Sequence, residues 1–214
     1  MTQEGIIMTP TIEISTLTGN ANGNSSNSLK LRSFTVKEYD SLINAGFFDK
    51  NDSLELLNGV IIEKMPKGAK HSSGTYQAAR IFFKLLDDKA VVRVQDPIWL
   101  DEFSEPEPDI VLAEHPFQNY FDNHPIPSQI FLILEISDTT LNFDRNAKSL
   151  AYARAGIRQY LLLNINEKTL EDYREPNSDG FQSKQTYRAG QTFSLDAFPE
   201  VELSVKDFLP VEKV

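Results

Sequence analysis

The chain has 214 residues, 40% of them hydrophobic, with 21 basic and 31 acidic side chains, a formal net charge of −10 and no cysteine. That length and composition suit one packed domain with a short appendage. The missing cysteine excludes disulfide scaffolds, thiolate zinc sites, iron–sulfur clusters and cysteine nucleophiles, and the acidity argues against a protein that coats nucleic acid non-specifically.

No apolar run approaches the roughly 20 residues that span a bilayer, and Met1 to Asn20 lacks a basic segment followed by an apolar one, so a cytoplasmic protein is expected. Residues 1–32 read as a flexible tail, because Thr18 to Ser28 (TGNANGNSSNS) has nothing to bury. The remainder, 33–214, reads as a single domain. Thr35 and Glu38 have the spacing of a capping box, predicting a short helix through Leu42 and Ile43 that stops at Gly46. Ser53 to Met65 carries Asn58-Gly59 between two apolar runs, the pattern of a tight β-hairpin.

A helix is predicted from about Ser72 to Asp87, burying Tyr76, Ala79, Ile81, Phe82, Phe83, Leu85 and Leu86. Val91 to Trp99 and Asp109 to Ala113 read as strands, and Glu114 to Ser128 as a long loop that could serve as a lid. Ile130 to Ile136 (IFLILEI) and Gln159 to Ile165 (QYLLLNI) have the continuous apolarity of strands buried on both faces. The helical spacing of Phe143 to Ala155 between them makes a βαβ unit with parallel strands. Thr169 to Arg174, Phe181 to Tyr187 and Gln191 to Leu195 read as an antiparallel meander. The fold class is α/β (α+β), one mixed sheet with flanking helices.

Four polar residues stand out from this pattern. Glu135 ends an otherwise apolar strand, Asp109 opens a strand after Pro108, Glu55 lies in the strand-like LELL, and Lys148 is four residues from both Asp144 and Tyr152. Each has an ordinary reading: a solvated sheet end for Glu135, a turn residue for Asp109, a water-facing strand position for Glu55, and an exposed i,i+4 pair for Asp144 and Lys148. Together they suit different chemistry. Carboxylates from neighbouring strands can share a divalent cation, and an ammonium beside them can stabilise charge at phosphorus. With only three histidines (His71, His115, His124), any metal is expected on oxygen ligands, hence magnesium or manganese.

Three stretches bear a family resemblance: LELLNGVIIEKM followed by His71, then EPDIVLAE, then LILEISDTTLNFDRNAKSLAYARAGIRQYLLLN. In these the chain resembles, over about Phe34 to Leu209, the Uma-type family of restriction-endonuclease-like proteins in the PD-(D/E)XK nuclease superfamily. The resemblance implies a restriction-endonuclease-like sheet and DNA as substrate. Magnesium or manganese would be held by Asp109, Glu135 and the Ile136 carbonyl, with Glu55 assisting. The superfamily lysine expected at position 137 is replaced by Ser137, and Lys148 on the following helix matches it instead. Asp138, after Ser137, reads as a turn residue. The Asp109 and Glu135 carboxylates should converge within about 5 Å to reach one ion. A homodimer is compatible, since restriction-type nucleases commonly act as dimers.

Charge is unevenly spread. Glu63 to Arg93 carries an excess of four positive charges and Asp144 to Arg158 an excess of three, which suggests a basic rim on an acidic body or simply solvated helix faces. Two other classes remain open at this level: a nuclease-fold protein that binds nucleic acid or a protein partner without cleaving, and a metal-dependent hydrolase of another phosphorylated substrate.

Overall fold

The structure is a computed structural model that describes residues 31–86 and 88–210, so the expected tail lies almost wholly outside the described residues. Its centre is a six-stranded mixed sheet in the order β3-β4-β5-β6-β7-β8. The strands are β3 (Val91–Val94), β4 (Ile110–Ala113), β5 (Ile130–Ser137), β6 (Gln159–Asn164), β7 (Thr169–Asn177) and β8 (Gly180–Arg188). Only β5 and β6 run parallel, joined by the helical crossover that their apolar sequences and intervening helix predicted. Both are buried almost end to end, because each face of the sheet is covered.

One face carries α2 (Ala69–Leu86) and α5 (Val205–Phe208), packed on Leu132, Leu134, Ile136, Leu161 and Leu163. The other carries the crossover helix, whose Ala151 and Tyr152 meet Ile133, Tyr160 and Leu162. Alternation along β5 therefore turns Leu134 and Ile136 toward α2 and Glu135 toward the crossover.

Helix α1 (Val36–Asn44) has the predicted capping box, with Thr35 and Glu38 bonding reciprocally. The hairpin of β1 (Leu54–Leu57) and β2 (Val60–Glu63) turns at Asn58 and Gly59, φ 51° and 77°. Glycine is required twice over at 59: for the left-handed backbone, and because a Cβ there would lie 2.4 Å from that of Ser33. Leu56 exchanges backbone bonds with Glu105 (2.8 and 3.3 Å), which seats β1 and its Glu55 over the end of the main sheet.

Glu105 itself is half-buried. Burial first, and then the negative charge of Asp40, pushes its carboxyl up to about 7. Between about pH 4.5 and 7 the folded protein keeps a proton that the unfolded chain has lost, so stability falls as pH rises through that window. Glu105→Gln is accordingly expected to stabilise the protein at pH 8 by about 1 kcal/mol, after allowance for solvent screening, and to change nothing at pH 4. Chemical denaturation at the two pH values checks this; equal gains at both would contradict it.

Three expectations are corrected. The buried stripe of α2 is Gly74, Thr75, Ala78, Ala79, Phe82 and Leu86, whereas Tyr76, Phe83 and Leu85 are exposed. Small residues let the helix lie close to β5: a Cβ on Gly74 would meet Ile136 Cγ2 at 3.2 Å. The strand expected from Val91 to Trp99 stops at Val94, since Gln95 takes φ 55°. The third meander strand, β9 (Thr192–Ser194), leaves the sheet to pair with β10 (Glu202–Ser204).

Candidate functional site

The antiparallel register of β4 with β5 pairs Ile110 with Leu134. Continued by one residue, it sets Asp109 opposite Glu135 on the same face; continued by two, it sets Pro108 opposite Ile136. Proline has no N–H to give the Ile136 carbonyl, and the Ile136 N–H bonds the Asp109 side chain (Oδ2, 2.9 Å). The Ile136 carbonyl, on the same edge as that N–H, is left without a ladder donor at Asp109's side.

Asp109 is 6% exposed and held from three elements. Besides Ile136, His71 Nε2 of α2 donates to Oδ2 (3.0 Å) and Gln95 Nε2 to Oδ1 (3.0 Å). Burial alone would raise its pKa. The His71 hydrogen bond and charge, with the Ile136 and Gln95 bonds, outweigh that and hold it below the ordinary aspartate value.

Glu135 is 4% exposed and behaves oppositely. Its Oε1 accepts from Lys148 Nζ (2.9 Å) and from the Tyr152 hydroxyl (2.6 Å). Lys148 draws its pKa down, but burial is the larger influence and Asp109, Asp144 and Glu55 add repulsion, leaving it pushed up to about 8. Two neighbouring carboxyls with pKa values driven apart are a frequent mark of a functional site.

Lys148 is 5% exposed and also reaches Glu55 Oε2 (3.3 Å), which accepts the Glu107 N–H as well (3.1 Å). Burial opposes its charge, yet Glu135, Glu55 and Asp144 together hold the ammonium above the usual lysine range. Asp144, also buried, accepts from the Thr140 hydroxyl (2.6 Å). The exposed Asp144–Lys148 pair considered from sequence is thus not formed.

The helix itself explains how Asp144, Lys148 and Tyr152 all turn inward. Between α3 (Leu141–Phe143) and α4 (Ser149–Arg154), residues Asp144–Lys148 form a π turn, in which the Ser149 N–H reaches back to the Asp144 carbonyl. The Tyr160 hydroxyl donates to that same carbonyl (3.1 Å), so the wide turn and the buried phenol satisfy each other. Glu55, His71, Asp109, Glu135, Asp144 and Lys148 line one cavity of about 540 Å³, walled by the end of the β1–β2 hairpin, the start of α2 and the turn that follows β5.

The family model described as "Putative restriction endonuclease" (Uma2) matches residues 36–206. The chain belongs to the Uma2 family. A similar solved structure is that of "a putative nuclease belonging to DUF820" from Anabaena variabilis, 18% identical, with a TM-score of 0.65 over 82% of this chain and 97% of that one; at that identity it bears on the fold alone. No curated protein sequence matches the chain.

The Uma2 chain thus brings Glu55, Asp109, Glu135 and Lys148 to one cavity, with Asp138 half-buried at its edge in the turn after β5. The loop 114–128 does not line it. Among the described residues no three histidine, aspartate or glutamate side chains form a ready metal cluster. The donor chemistry nevertheless suits a hard cation. A carboxylate offers about four acceptor sites; Asp109 has three in use, Glu135 has two on Oε1 alone, and the Ile136 carbonyl lies beside Asp109. Glu55 is engaged by Lys148 and the Glu107 N–H, so it fits the role of lysine holder better than that of ligand.

Sequence reasoning gave no role to Gln95 or His71. Gln95 had no signal, since its side chain reaches Asp109 only through its unusual backbone. His71 was visible as part of the family pattern. The expected basic rim is smaller than its charge count. Lys64 and Lys67 pair with Glu107, Lys89 with Glu200, Arg93 with Asp96 and Arg145 with Glu171, and Lys148 is inside the site. Lys70, Arg80 and Lys84 remain exposed on α2. No described helix is long and apolar enough to cross a membrane.

Proposed function

We propose that this nuclease-family protein is a cytoplasmic, metal-dependent endonuclease that hydrolyses phosphodiester bonds in DNA. The observation that carries the reading is the convergence on one cavity of Asp109, Glu135 and Lys148, with the Ile136 carbonyl spared from the sheet ladder. Asp109, Glu135 and that carbonyl would hold magnesium or manganese, which when bound supplies Lewis-acid polarisation of a phosphate and a more acidic water.

The chain's own groups have separable tasks. The three donors on Asp109 keep its carboxylate ionised and fixed. Tyr152 and Lys148 both bond Glu135 through Oε1, which leaves Oε2 for the ion. Lys148 can place positive charge against the non-bridging oxygens as water attacks phosphorus and the bond to the departing oxygen breaks. Glu55 keeps the ammonium in reach of that position.

Plasmid cleavage in magnesium or manganese tests the proposal. The parent protein should nick or linearise the plasmid, chelation should stop it, and Asp109→Asn should reduce it by about 10²-fold or more. One observation favours the rival reading, a non-cleaving binder: the Lys148 ammonium already bridges Glu55 and Glu135 and is not free. Retained DNA binding with no cleavage under either metal would decide for that reading.

A further inference from the structure

His71 stands in the first turn of α2, where its imidazole is one of the three donors on Asp109. We propose that His71 is a positioning residue: its Nε2–H pins Asp109 Oδ2 so that the last open acceptor site of Asp109, on Oδ1, faces a divalent cation. This rests on the metal-dependent reading and adds a residue to it.

Hydrogen-bond accounting carries the inference. An ionised carboxylate only accepts, so the imidazole proton shared with Asp109 must sit on Nε2. Oδ2 then takes two donors, His71 Nε2 at 3.0 Å and Ile136 N at 2.9 Å, and Oδ1 takes Gln95 Nε2 at 3.0 Å. Without His71 the carboxylate would keep one donor on each oxygen, and Oδ2 would hold an open acceptor site that competes with Oδ1 for a cation. With it, Oδ2 is filled and the orientation is set.

The other ring nitrogen points the same way. His71 Nδ1 is buried with no hydrogen-bond partner among the described residues. A histidine kept for structure alone would be expected to satisfy both nitrogens, since an orphaned buried polar atom is destabilising. Here the bond to Asp109 is made and the other nitrogen left unmet. The backbone under the ring is held as well. The Thr75 hydroxyl donates to the His71 carbonyl (3.0 Å), and Gly74 lets the same turn of α2 close on Ile136. The backbone carrying His71 is thereby fixed relative to the strand whose N–H binds the same oxygen.

Partners that orient a metal-binding carboxylate typically contribute 10–100-fold to metal affinity. Calorimetric titration of manganese into the parent, His71→Phe, His71→Gln and Asp109→Asn is the test, with thermal melting of each metal-free protein as the check on folding. His71→Phe should weaken manganese binding about 10- to 100-fold. His71→Gln, whose amide can donate at similar reach, should stay within about threefold of the parent. If His71→Phe does not fold, His71→Ala takes its place. Parent-like affinity in the Phe or Ala variant, alongside lost binding in Asp109→Asn, would overturn the role of His71 and leave the metal reading standing. Equal losses in His71→Phe and His71→Gln would overturn it too, since the donor would then not be what matters. No difference between the parent and Asp109→Asn would overturn the metal reading, and this inference with it.

Discussion

Lys148→Ala is expected to lower unfolding free energy by about 3 kcal/mol or more at pH 9 and to cut DNA cleavage by about 10²-fold or more. The ammonium is buried between Glu135 and Glu55 at 2.9 and 3.3 Å. Removing it leaves ionised carboxylates in a low-dielectric site with no counter-charge, which costs far more than the pair itself contributes. The penalty should shrink in acid, where Glu135, already pushed up to about 8, takes a proton instead. Manganese affinity should not fall, because a cation that competes for the same carboxylate has been removed. Denaturation at pH 5 and 9, with cleavage measured in parallel, checks the set. A loss of only a few tenths of a kcal/mol at both pH values, the size expected of an exposed i,i+4 pair, would sink it. Adding Glu135→Gln to Lys148→Ala should recover part of the lost stability, as removing both members of a buried pair is gentler than removing one.

Glu135→Gln should separate activity from stability in the opposite sense. Cleavage should drop by about 10³-fold or more and manganese affinity should fall with it, since an amide oxygen replaces a charged ligand. Stability should respond to pH instead. The folded parent holds a proton on Glu135 from about pH 4.5 up to about pH 8 that the unfolded chain has released, so its stability declines as pH rises through that window. Glutamine has no proton to lose, so the variant's stability relative to the parent should rise from pH 5 to pH 9. Melting temperatures at those two values decide the matter. A variant that loses stability relative to the parent as pH rises would show that Glu135 is ionised and favourably paired throughout.

Local pattern determined much of this protein. The capping box at Thr35 and Glu38, the Asn58-Gly59 hairpin and the two apolar strands flanking a crossover follow from short-range chemistry, and each forms where the sequence predicts. Glu55, Asp109, Glu135 and Lys148 were also legible as candidates, partly because charge is out of place in an apolar strand and partly because the family resemblance names those positions. What they do to one another was not legible. Asp109 takes its three donors from residues 38, 14 and 27 positions away, on α2, at the end of β3 and on β5. Such bonds depend on strand order and register, which no local window contains. The same holds for Lys148: an i,i+4 spacing suggested Asp144 as its partner, and only the packed crossover helix, with its π turn, delivers it to Glu135 and Glu55. The α2 stripe was read correctly at Ala79, Phe82 and Leu86 and misread at Tyr76, Phe83 and Leu85, because close packing, decided by Gly74 against Ile136, selects small residues where hydrophobicity alone favoured large ones. Periodicity and turn chemistry act over a few residues and can be read along the chain; burial, pKa and hydrogen-bond saturation at the site arise from groups that meet only when the sheet is assembled.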